Sequence, residues 1–170
     1  QDDIKDVGGF CGGFLADGRR KADKVVRRQV VTLDFDKAEG HEWEIWRQAR
    51  GYAACVYSTH KHTPEEPRLR VVIPLDRPAA PDEYEPIARR LAEWLNMAAV
   101  DETCFRLNQL MYWPSTPADI SPVFEYLDGP WVSADGVLAT YTDCRNPREW
   151  PRNTSDADIM VVRGKVQKDP

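Results

Sequence analysis

The chain has 170 residues, 42% hydrophobic and 30% charged, with a formal net charge of −5. That length suits one domain with a real core, and no apolar run approaches the ~18–20 residues of a membrane span. The acidic balance excludes a protein that coats nucleic acid by bulk attraction. Four scattered cysteines without a Cys-x-x-Cys pair argue against structural zinc and for reduced thiols.

In chain order, Val7 to Phe14 is a glycine-rich opening. It lacks the terminal Gly-Lys-Ser/Thr of a phosphate loop and the spacing of a dinucleotide fingerprint, so its glycines are read as tight turns before a strand. Asp17-Gly18 reads as a hairpin tip. Arg19, Arg20, Lys21, Lys24, Arg27 and Arg28 then crowd one basic segment. A β-branched strand through Val25–Asp36 ends in Asp34-Phe35-Asp36, and the chain turns at Glu39-Gly40. Residues i and i+2 share a strand face, so the two aspartates stand together while Leu33 and Phe35 face the core. Two bare carboxylates about 5 Å apart repel by roughly 3 kcal/mol at an effective dielectric near 20. A hard cation, Mg²⁺ or Mn²⁺, removes that repulsion. The plain alternative is a strand end with solvated acids.

His41 to Ala49 has helical character and stops at Gly51. Tyr52–His60 is an apolar strand with Ser58 and His60 on one face. A loop through Pro67 leads to a second strand, Arg68–Leu75, where Arg68 and Arg70 oppose Leu69, Val71 and Ile73. Pro74 marks a strand end or edge. Pro81 to Leu95 is the clearest helix: Pro and acids in its first turn, then Tyr84, Ile87, Leu91, Trp94 and Leu95 at 3–4 spacing. Ala98–Asp101 returns toward the sheet, Leu107–Pro114 is a strand or packed apolar loop, Val123–Tyr126 a short strand, and Val137–Tyr141 a short helix. Residues 1–150 read as one domain. Residues 151–170 read as a linker toward a further domain, the chain looking like a piece of something longer. The expectation is an α+β fold: an RRM-like antiparallel sheet in β–α–β–β–α–β order, helices on one face, and acids, His60 and Arg70 on the other.

The motifs Leu33-Asp34-Phe35-Asp36, Ser58-Thr59-His60 and Val100-Asp101, in this order, resemble the three motifs of archaeo-eukaryotic primases. The strings Tyr57–His62, Arg68–Leu75 and Gln109–Ser115 are similar to phage and prophage primase domains N-terminal to virulence-associated-protein-E-type helicases. The likeness runs from Val7 to Trp150. It implies a template-directed nucleotidyl transferase of DNA replication, cytoplasmic in a bacterial host and phage or prophage encoded. Asp34, Asp36 and Asp101 would hold one or two Mg²⁺ or Mn²⁺ ions, with Asp76 and Glu102 as competitors for the third place. His60, Ser58 and Arg70 would bind the nucleoside triphosphate. Arg19, Arg20, Lys24, Arg27, Arg28 and Arg68 would face the phosphates of a single-stranded DNA template or a primer strand. The implied partners also include a fused or associated helicase, and no membrane.

Two rivals stand beside this reading. A rolling-circle initiator or relaxase uses a His-hydrophobic-His metal pair and a nucleophilic tyrosine; His60-Lys61-His62 has that spacing with a charged middle residue, and Tyr84 is the helical tyrosine. A non-catalytic RRM-like single-strand-binding module carries stacking aromatics on its sheet. His62 taken alone reads as a loop residue, and Trp43, Trp46 and Trp113 as packing.

Overall fold

The computed structural model describes residues 7–36, 38–39 and 41–153. Its elements are β1 (Gly9–Phe10), β2 (Gly13–Leu15), β3 (Val25–Phe35), α1 (Glu42–Ala49), β4 (Ala54–Ser58), β5 (Leu69–Ala79), α2 (Pro81–Leu95), β6 (Met111–Tyr112), β7 (Phe124–Leu127) and α3 (Ala134–Leu138). The fold is α+β, as expected. Five antiparallel strands lie in the order β2-β3-β5-β4-β7, and β1 pairs with β6 in a separate two-stranded ribbon.

The register explains the layers. Leu33 lies opposite Val71 and Val71 opposite Val56, and all three are buried. Alternation puts Val31, Phe35, Leu69 and Ile73 on the same face. There they join Trp46 of α1 and Ile87 and Leu91 of α2 in one core. Ile87 and Leu91 are fully buried, each contributing on the order of 2 kcal/mol. Trp46 also donates from Nε1 to the Tyr52 carbonyl, at 2.9 Å, where α1 hands over to β4.

Two expectations are corrected. β5 runs through Pro74 to Ala79 and is the central strand. Proline is tolerated there because β4 pairs with β5 only up to Val72, while β3 is irregular between Arg28 and Val30. The Pro74 carbonyl instead accepts from Val132 N at 3.1 Å. Leu107–Pro114 does not enter the main sheet, since β6 pairs with β1. The place beside the end of β3 goes to Val100, which bridges Phe35. At the start of the expected linker, Arg89 donates to the Pro151 carbonyl and Asn153 to that of Ala98. The expected linker from residue 154 onward, and the Gly40 turn position, lie outside the described residues.

Two glycine sites have a steric cause. A Cβ on Gly13 would collide with the carbonyl oxygen of Arg27, so glycine permits β2 to approach β3. Asp17 and Gly18 both take positive φ, 57° and 63°, at the tip of that hairpin.

Candidate functional site

The second sheet face carries a row of four residues in direct register across four strands: Asp34 on β3, Arg70 on β5, Tyr57 on β4 and Phe124 on β7. Asp34 and Arg70 form a bidentate ion pair, Nε to Oδ1 at 2.5 Å and Nη2 to Oδ2 at 2.8 Å. Arg70 is 7% exposed. Its remaining nitrogen donates to the Tyr112 carbonyl at 2.6 Å and the Tyr57 hydroxyl at 3.3 Å. One step along the strands, Arg68 donates to Asp36 at 2.9 Å. Arg70 of β5 and Arg68 just before it thus face Asp34 of β3 and Asp36 just after it.

The third acid comes from the chain after α2. Asp101 N donates to the Asp34 carbonyl at 2.9 Å, and Asp36 N to that of Ala99 at 3.2 Å. The Asp101 carboxylate caps the next turn, accepting from Thr103 N at 2.9 Å and Thr103 Oγ1 at 2.7 Å. Burial pushes the Asp34 carboxyl up, Arg70 opposes this, and the charges of Asp36 and Asp101 add to the rise. Burial disfavours the Arg70 cation too, but Asp34 outweighs it and the guanidinium is pushed up. The competitors for the third place lie elsewhere. Asp76 accepts from Ala134 N at 2.9 Å at the start of α3, and Glu102 pairs with Arg89 at 3.0 Å.

Beside the acids is a cleft of about 220 Å³. Asp36, Arg68 and Arg70 line it together with Tyr57, Thr59, His60 and Lys61 from β4 and the turn after it and with Tyr112, Trp113 and Ser115 from β6 and beyond. It holds three cationic side chains against a single carboxylate. His60 Nδ1 lies 3.3 Å from Ser115 Oγ. The sequence reading did not assign Tyr57, Thr59, Lys61, Tyr112, Trp113 or Ser115 to the site. Tyr112–Ser115 are distant in sequence and are held here by the pairing of β6 with β1 and by the bond from Arg70 to the Tyr112 carbonyl.

Several expected site residues are not brought here. Ser58 is 1% exposed, and its hydroxyl is used within the fold: Oγ accepts from Val123 N at 2.9 Å. Its register partners Leu69 and Phe35 face the core, and Thr59 takes its place at the cleft. Arg28 is fully buried, its guanidinium 4.1 Å from the Tyr84 ring centroid and bonded to the Leu107 carbonyl at 2.7 Å, which removes it from any phosphate-facing set. Arg27 stacks over Phe14, Arg20 donates to the Asn108 carbonyl, and Lys24 pairs with Asp17. With Arg19 they sit near the start of β3, while the acids sit at its end. The ten intervening steps of strand span roughly 33 Å.

Hard carboxylate oxygens suit a divalent ion in kind. In this arrangement they form no cage: among the described residues no three His, Cys, Asp or Glu side chains are grouped to hold a metal. Both oxygens of Asp34 are taken by Arg70, and those of Asp101 by Thr103.

A family model described as the VapE N-terminal domain matches residues 1–153. The chain belongs to that family. No curated protein and no solved structure matches it.

Within this VapE N-terminal domain, the geometry speaks against the rolling-circle arrangement. His62 is turned into its own loop, its Nδ1 accepting from Arg68 N at 3.2 Å, so it does not pair with His60. Tyr84 is fully buried and donates to the Cys104 carbonyl. No helix among the described residues is long and apolar enough to cross a membrane.

Proposed function

We propose that this VapE N-terminal domain is a template-directed nucleotidyl transferase, a primase-polymerase of the archaeo-eukaryotic class. It would serve phage or prophage DNA replication in the bacterial cytoplasm, alongside a fused or associated helicase. One observation carries the reading: Asp34, Asp36 and Asp101 converge at the end of β3 beside a cation-rich cleft rimmed by His60. His60, Lys61 and Arg70 would bind the phosphates of an incoming nucleoside triphosphate. Mg²⁺ or Mn²⁺ would supply activation of the primer hydroxyl, and Asp34, Asp36 and Asp101 would hold it only once Arg70 releases Asp34 and Thr103 releases Asp101. On this reading Asp34 must exchange its arginine, and Arg70 already stands on the cleft wall where a triphosphate would receive it.

The test is incorporation of labelled nucleotides on single-stranded DNA, with and without a primer, in Mg²⁺ and in Mn²⁺. Asp36→Asn is the control of choice, because Asp36 is half exposed and its loss spares the buried pair. Metal-dependent extension abolished by Asp36→Asn supports the proposal, and extension without a primer adds priming. A second reading, a binding module without catalysis, is favoured by the engagement of both oxygens of Asp34 and of Asp101 with protein groups. Single-strand binding with no incorporation under either metal would establish it.

A further inference from the structure

The same sheet face carries aromatic side chains that the fold does not use. On β7, Phe124 is 65% exposed and Tyr126 is 74% exposed. Their register partners on β4 are Tyr57 and Cys55, so both rings project on the face of Asp34 and Arg70. The intervening Glu125 projects the other way, where it accepts from Trp43 Nε1 at 2.7 Å. The alternation is therefore aromatic toward the site and acidic toward α1. Two large rings left in water on one short strand are not explained by packing. They are also continuous with the cleft: Phe124 stands opposite Tyr57, which lines the cleft with Tyr112 and Trp113. Trp113 is itself 55% exposed.

We propose that the β7 face, through Phe124 and Tyr126, is a stacking platform for single-stranded nucleic acid running away from the cleft. This rests on the proposed nucleotide site for the strand's identity as template. Three observations select this occupant. Side chains at i and i+2 are roughly 6.7 Å apart, far enough for each ring to take its own base. The row Asp34, Arg70, Tyr57, Phe124 crosses three strand spacings, roughly 14 Å, so bases stacked on β7 lie one or two nucleotides from the cleft. Arg70 and Arg68 are paired with Asp34 and Asp36, which leaves Lys61 on the cleft, with no hydrogen bond or ion pair among the described residues, as the cation complementary to phosphate. The strand would thus approach across the edge of the sheet opposite β2, away from the basic segment.

The test is fluorescence anisotropy of labelled oligo-dT of about 20 nucleotides at about 50 mM salt, with the full chain. Because both rings are exposed, Phe124→Ala with Tyr126→Ala should leave thermal unfolding unchanged. Kd is expected to rise on the order of tenfold or more. Phe124→Leu with Tyr126→Leu keeps apolar surface but no ring, and should lose affinity similarly. Phe124→Trp should retain affinity and show fluorescence quenched by the bound strand. The proposal is overturned if wild type does not bind, or if the alanine and leucine variants bind like wild type. It is equally overturned if wild type sediments as a dimer that the alanine variant dissociates, with oligo-dT affinity unchanged, since β7 would then be a contact between copies. Failure of the polymerase reading is distinguishable: it shows as ring-dependent binding with no incorporation under either metal.

Discussion

Asp34 and Arg70 stand opposite each other on β3 and β5, joined by two parallel hydrogen bonds and largely withdrawn from water. A buried pair of this kind adds little over a well-packed apolar pair, but losing one member strands the other charge. Asp34→Ala is therefore expected to destabilise the fold by about 3–5 kcal/mol. Asp34→Leu combined with Arg70→Met should recover most of that loss while remaining inactive in nucleotide incorporation. Urea unfolding of wild type, single and double variants checks this; a double variant no more stable than Asp34→Ala contradicts it.

On the proposed reading, Ser58 and His60 should separate cleanly. Ser58→Ala removes the acceptor of Val123 N and should cost about 1–2 kcal/mol in unfolding free energy, with the KM for nucleotide unchanged. His60→Ala should raise that KM roughly tenfold and leave stability near wild type. The reverse pattern would put Ser58 at the substrate and His60 in the scaffold.

Arg28 should behave as a core residue. Its guanidinium sits over Tyr84 and satisfies the Leu107 carbonyl, so Arg28→Ala leaves a cavity and an unmet acceptor. A loss of about 3 kcal/mol is expected, by urea unfolding. Arg19→Ala, at an exposed position, should cost no measurable stability.

Acid should loosen the α2–α3 end of the molecule. The backbone bond from Ala134 holds the Asp76 carboxyl below the usual carboxylate range, and Arg77 does the same for Glu83. A depressed folded pKa gives stability that is present above the unfolded value near 4 and lost as pH falls through the folded one. Unfolding midpoints should therefore drop between about pH 5 and pH 2, less steeply in Asp76→Asn. Asp34, pushed up by burial, works in the opposite sense. An Asp76→Asn profile superimposable on wild type would remove Asp76 from the account.

Much of this architecture is legible in the sequence because it rests on local periodicity. The α2 stripe of Tyr84, Ile87, Leu91 and Leu95 is buried, and the Leu33/Phe35 alternation points inward as its spacing requires. The contacts that define the site depend on register, which a single strand does not display. Nothing in Arg68-Leu69-Arg70 announces that these arginines face Asp36 and Asp34 until Leu33 is known to lie opposite Val71. Ser58 was misplaced for a related reason: the chain leaves β4 at Ser58, so the i, i+2 rule no longer ties it to His60. The basic segment is adjacent to the acids in sequence, yet an eleven-residue strand carries it to the far end of the sheet. The signal for Phe124 and Tyr126 was present as aromatic–acid–aromatic alternation, but the face it belongs to follows only from the pairing of β7 with β4.

His62 closes its own loop at both ends: its N–H reaches the Thr59 carbonyl at 2.9 Å and its Nδ1 receives Arg68 N. Glu66 N bonds back to Thr63 Oγ1 within the same segment. His60 and Lys61 are therefore carried on a clasped tip and not on a loose tether. Their backbone freedom is surrendered during folding, so the entropy of placing that stretch of main chain is not charged to any later binding step. On the proposed reading, opening the clasp, as in His62→Ala, would leave His60 and Lys61 present while making their capture of a triphosphate slower and weaker.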